Sequence, residues 1–176
     1  MRVGENTKDE LGPFTMGIGG ALAVAGSILP WATVTFQGGP LGSVLPPGLF
    51  TPVRHVMGTH TTEGKIALTV GLAVALLGIT GLLLRGRRPH WVIGVCGVVG
   101  GVGLGALGIR ELSRVGDASA EFNPLRVGGV PQRFLADVST SYGLVVLIVG
   151  AALALVGGVL VLFRARRRAA RHYFVA

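Results

Sequence analysis

The sequence predicts an all-α membrane protein: a four-transmembrane-helix bundle made of two duplicated helical hairpins, with a small extracytoplasmic cap that includes a short β-hairpin. Three observations lead there. Of 176 residues, 50% are hydrophobic and only 14% charged, where soluble domains carry about 25% charged residues. Four apolar runs free of Asp, Glu, Lys and Arg, about 13–36, 66–84, 91–109 and 143–163, each approach the ~20 residues a helix needs to cross the hydrocarbon. The segment "TTEGKIALTVGLAVALLGITGLLLRGRR" also aligns with "TSYGLVVLIVGAALALVGGVLVLFRARR" at an offset of 79 residues.

The first run is preceded by a flank that mixes Arg2 and Lys8 with Glu5, Asp9 and Glu10. A cleaved secretory signal needs a net-positive start, so the run reads as a retained helix. After it, "TVTF" alternates and meets Gly38, Gly39 and Pro40, the pattern of a hairpin arm, and Pro46 and Pro47 interrupt any regular element beyond it. The second run opens beside Glu63, Gly64 and Lys65, with Thr61 or Thr62 as its cap.

The second and fourth runs are the two copies of the repeat. Gly71 and Gly78 align with Gly150 and Gly157. A seven-residue spacing keeps glycines on one face of a helix of ~3.6 residues per turn, where they let another backbone approach.

The third run contains "GVVGGVGLGALG", which matches a dinucleotide fingerprint at Gly103, Gly105 and Gly108. That fingerprint requires a strand before it and a soluble strand-helix-strand unit around it, and here it is continuous with a membrane span. Gly94, Gly97, Gly101, Gly105 and Gly108 share an arc of about 80°, a packing face with overlapping GxxxG steps. Beyond it, "IRELSR" extends the helix, with Glu111 and Arg114 as an i,i+3 pair. In the second long connection, "PQRFLADVSTSYG" is expected to form an amphipathic helix leading into the fourth run.

The chain therefore reads as one integral membrane domain, residues 1–176. Its outer loops are 37–65 and 110–142, and its cytoplasmic parts 1–12, 85–90 and 164–176. Orientation rests on arginines: Arg85, Arg87 and Arg88 in the short turn, and Arg164, Arg166, Arg167, Arg168 and Arg171 in the tail. By the positive-inside rule both termini are cytoplasmic. These arginines serve topology and contact with anionic lipid headgroups. Trp31, Tyr142 and Trp91 are expected in the interfacial aromatic belts. Abundant Ala, Val, Gly and Arg read as a GC-rich bacterial genome, hence the inner (plasma) membrane.

Chemistry is sparse in this chain. The single Cys96 precludes an intramolecular disulfide or a cysteine-based metal cluster. His55, His60 and Glu63 lie within nine residues of one another, but their spacing matches no familiar zinc pattern, so no metal is assigned. No cofactor and no catalytic constellation are expected, and the basic tail lacks the aromatic interleaving of single-strand nucleic-acid binders. Ser and Thr within the runs, Thr15, Ser27, Thr69 and Thr80, are expected to join neighbouring helices.

"SILPWATVTF", an outer loop, "TTEGKIALTVGLAVALLGITGLLL" and an arginine-rich turn together resemble the small, mostly uncharacterised four-span membrane proteins of actinobacteria, among them the tryptophan-associated membrane proteins. The topology is also similar to claudin-like tetraspans, without their paired-cysteine motif. The resemblance implies no catalytic residue. The expected function is a non-enzymatic accessory subunit, assembly factor or scaffold of a larger membrane complex, respiratory or envelope-building, that binds other membrane subunits and anionic lipids but no nucleic acid. The alternative is an oligomeric channel or transporter for small solutes or lipids, with homo-oligomer contacts at the glycine faces.

Overall fold

Pro30 decides where the first helix ends. It has no N–H to continue the helical ladder and it disfavours helical backbone at the residue before it. Helix α1, Val3–Ile28, stops there and the chain turns into strand β1, Pro30–Phe36. The apolar run expected as one span to Phe36 is thus a helix and then a strand. The computed structural model describes residues 3–36, 53–83, 90–122, 126–127, 130–131 and 136–173.

After β1 come strand β2, Val53–Met57, a 3-10 turn at Gly58–His60, and helices α2, Thr62–Leu83, and α3, His90–Phe122. Two short strands, β3 at Arg126–Val127 and β4 at Val130–Pro131, pair with each other. Strand β5, Ala136–Thr140, then leads into helix α4, Tyr142–Tyr173. Within these helices, four segments are long and apolar enough to cross a membrane: Glu10–Ile28, Thr62–Leu83, Trp91–Ala118 and Tyr142–Arg167.

At one end of the bundle β1 forms the middle of an antiparallel three-stranded sheet in the order β2-β1-β5. Thr33 pairs with His55 on one side and Ser139 on the other, and Val34 with Arg54 and Val138. This corrects the expected amphipathic helix: Ala136–Thr140 is a strand. The open edge of β1 supplies a row of backbone partners, and Val138 and Thr140, both β-branched, suit that pleated surface better than a helix. The expected hairpin turn at Gly38, Gly39 and Pro40, with Pro46 and Pro47 beyond it, lies outside the described residues, as do Phe134 and Leu135.

The helices pack with α1 between α2 and α4, and α3 against the far side of α4; α2 and α3 touch more thinly than these three pairs. Apart from Met16 and Trp31, the core residues are small or branched: Ala23, Ala67, Val74, Leu104, Leu144, Leu147, Ala151 and Ala154.

Candidate functional site

Glycine spacing sets the three seams. On α1, Gly12, Gly19 and Gly26 recur every seven residues, and they meet Gly157, Gly150 and Gly143 of α4 in antiparallel register. A β-carbon built on Gly12 would lie 3.3 Å from the Gly157 carbonyl oxygen, on Gly19 2.7 Å from that of Gly150, and on Gly26 2.9 Å from that of Gly143. Real β-carbons do not come that close to backbone in the last two cases, so the seam is backbone against backbone. A seven-residue period on both helices is the heptad geometry of left-handed packing.

A second face of α1 receives α2. A β-carbon on Gly20 would lie 2.8 Å from the Gly71 carbonyl, and one on Gly78 2.6 Å from the Gly17 Cα. The repeat-equivalent pairs Gly71/Gly150 and Gly78/Gly157 therefore grip the same helix from two sides. A strict twofold exchange of the hairpins would place Gly150 and Gly157 against α3; the two copies, alike in sequence, are used unequally.

The third-run glycines face α4. β-Carbons on Gly94, Gly101 and Gly108 would lie 2.8 Å from Leu162, 2.7 Å from Leu155 N and 2.8 Å from Ile148, while Gly97 abuts Met16 and Gly158. Gly105 has looser room, 3.9 Å from Ala151, and Gly103 faces open space. All lie inside α3, where no phosphate-binding loop exists. The heptad on α1 and the role of Gly158 were not among the sequence expectations, although the seven-residue spacing of Gly12, Gly19 and Gly26 is as visible as that on α2 and α4.

The sheet end is fastened by Trp31. With Pro30 lacking an N–H, the Gly26 carbonyl has no helical donor; the Trp31 indole N–H donates to it at 2.9 Å. The ring is 3% exposed, and a β-carbon on Gly58 would lie 2.5 Å from its Cε2. Backbone bonds from Gly58 N–H to the Leu29 carbonyl and from Ser141 N–H to the Trp31 carbonyl tie in α2 and α4. The expected interfacial position of Trp31 is thereby corrected: its N–H has a buried acceptor to satisfy, so the ring packs inward. Tyr142 and Trp91 remain outward-facing, 60% and 58% exposed.

Thr61 caps α2, its Oγ1 accepting from Gly64 N–H at 3.0 Å. Nearby, one Arg114 nitrogen donates to Glu111 at 2.8 Å and to Glu63 at 3.1 Å. Glu63 thus joins the expected i,i+3 pair from another helix, a link of 51 positions that local spacing does not reveal. His55 Nδ1 instead lies 3.3 Å from the Thr33 hydroxyl, and His60 is exposed on the 3-10 turn. Among the described residues no three His, Cys, Asp or Glu side chains converge as metal ligands.

Thr15, Ser27, Thr69 and Thr80 donate to the carbonyls four residues earlier in their own helices, at 2.6–2.9 Å. The expected interhelical bridges are therefore replaced by the nearest acceptor in an apolar setting. Cys96 is exposed on α3. At the other end of the bundle, Arg166 and Arg167 are exposed, and one terminal nitrogen of Arg164, Nη1, is enclosed without a hydrogen-bond partner among the described residues. Arg85, Arg87 and Arg88 lie outside the described residues; Arg168 and Arg171 belong to α4, but their side chains lie outside those described.

Four apolar helices joined by backbone-close seams, with apolar runs free of Asp, Glu, Lys and Arg, define a small multi-pass transmembrane protein. Residues 14–173 match the family described as tryptophan-associated transmembrane protein, and the chain belongs to it. No protein of curated function matches the chain.

Proposed function

We propose that the chain is a non-catalytic accessory subunit or scaffold of a larger membrane complex, seated in the bacterial plasma membrane with both termini cytoplasmic. The observation that carries this reading is the closure of the bundle interior by backbone contact. Gly12, Gly19 and Gly26 against α4, and Gly17 and Gly20 against α2, leave no side-chain-lined gap at those levels of the seams. Ion-coupled transport and proton relays require ionisable groups at membrane depth, and the apolar runs contain no Asp, Glu, Lys or Arg. The hydroxyls of Thr15, Ser27, Thr69 and Thr80 are occupied by their own helices. Outward-facing side chains such as Leu72, Leu76, Val99, Val149 and Val156 offer apolar surface to lipid or to a neighbouring subunit.

Purification in mild detergent, then mass spectrometry of co-purifying proteins, tests the proposal. A stoichiometric membrane partner is expected, and because the family is described as tryptophan-associated, membrane proteins that handle tryptophan are the first to look for. Recovery solely as a monomer would sink the reading. A homo-oligomer enclosing a polar path would favour the channel alternative.

A further inference from the structure

Arg164 is the first charged residue after the apolar run of α4, and it is unlike the arginines beyond it. Arg166 and Arg167 are exposed. Arg164 is half-buried, and its Nη1 is shut away from solvent with no acceptor among the described residues. Guanidinium cannot shed its proton, so packing one of its nitrogens without an acceptor is unfavourable unless the rest of the group finds strong compensation.

Its place in the seam is definite. Arg164 lies one heptad beyond Gly157, so it continues the row Gly143, Gly150 and Gly157 that faces α1. The α1 position one heptad before Gly12 is Glu5, whose side chain lies outside those described; among the described residues Nη1 meets no hydrogen-bond partner. Arg164 ends the uncharged run of α4, one residue past Phe163, which is itself turned outward, and a long basic side chain at the end of an apolar run extends toward the headgroup region. The planar fork of arginine suits a bidentate phosphate oxygen pair, and the surrounding tail, with Arg166, Arg167, Arg168 and Arg171, favours an anion over a zwitterion.

The geometry points to Arg164 as the anchor of a phospholipid site at the basic end of the α1–α4 seam, holding the phosphate of one anionic lipid, with packing of the guanidinium fixing its orientation. This inference is independent of whether the protein has a partner subunit.

The test is a titration of the full chain in detergent with phosphatidylglycerol, phosphatidylcholine or inorganic phosphate, reading the thermal unfolding midpoint and, by native mass spectrometry, the number of retained lipids. Phosphatidylglycerol is expected to stabilise the protein saturably with one lipid retained. Arg164→Gln should weaken half-saturation about five- to tenfold, while Arg167→Gln leaves it within about twofold. Arg164→Lys, which keeps the charge and loses the fork, covers the case in which Arg164→Gln does not fold; an intermediate weakening is expected. Equal loss from Arg167→Gln would overturn the site in favour of a diffuse charge effect. Equal stabilisation by inorganic phosphate or by phosphatidylcholine would overturn the anionic lipid as ligand. Loss of stability in Glu5→Gln matching that in Arg164→Gln, without any lipid response, would assign Glu5 as the partner and overturn the proposal.

Discussion

Gly19 and Gly150 approach each other reciprocally: a β-carbon on either would lie 2.7 Å from the carbonyl oxygen of the other. Backbones this close bring Cα–H groups against carbonyl oxygens, a weak attraction that recurs at helix interfaces, and neither residue tolerates a side chain without the helices separating. Overpacking of this kind costs about 1–3 kcal/mol. Gly19→Val and Gly150→Val are therefore expected to lower the thermal unfolding midpoint in detergent, whereas Gly103→Val, whose position faces open space, leaves it nearly unchanged. Equal sensitivity at all three positions would contradict the seam.

The Pro30–Trp31 arrangement makes a paired prediction. Trp31→Phe keeps an aromatic ring but leaves the Gly26 carbonyl without its donor, at a cost of about 1–3 kcal/mol for an unsatisfied buried group. Adding Pro30→Ala supplies a backbone N–H in helical position, so the double variant recovers part of the loss. A double-mutant cycle in thermal or denaturant unfolding reads this directly; additive losses would refute the coupling.

Trp31 and Trp91 are the two tryptophans of the chain, and they differ in environment. In single-tryptophan variants reconstituted with brominated lipids, Trp91 fluorescence is expected to be quenched strongly and Trp31 fluorescence weakly. Comparable quenching would place Trp31 at the lipid surface after all.

Arg114 separates two carboxylates that share one level on α2 and α3. Arg114→Gln leaves Glu63 and Glu111 facing each other without a cation between them, and the unfolding midpoint falls. Glu63→Gln in that background relieves the repulsion and restores part of it. Because Arg114 is half exposed, high salt is expected to shrink both effects, and an effect indifferent to salt would argue for packing instead.

Much of this architecture is legible in the residues themselves. The apolar runs declare the helices, and seven-residue glycine spacing declares smooth faces on α1, α2 and α4. Which helix receives which face is not legible, because Gly71/Gly78 and Gly150/Gly157 carry the same pattern; only the assembled bundle sends both to α1. Strand β5 is missed for a related reason: Ala136–Thr140 has weak local preference, and its partner is β1, roughly a hundred positions away in the chain. The Glu63–Arg114 link is equally non-local. Trp31 is misplaced by an average rule about tryptophan in membranes, when the decisive fact is the neighbouring proline and the carbonyl it leaves bare.

Segment 3–36 is central twice over, as the helix flanked by α2 and α4 and as the strand flanked by β2 and β5. It also precedes everything that packs on it, so during synthesis the ribosome delivers the template before its clients. Helices α2 and α4 each enter the bilayer beside a surface of α1 already waiting for them, whereas α3, which packs on α4, gains its main partner only when the last helix is inserted.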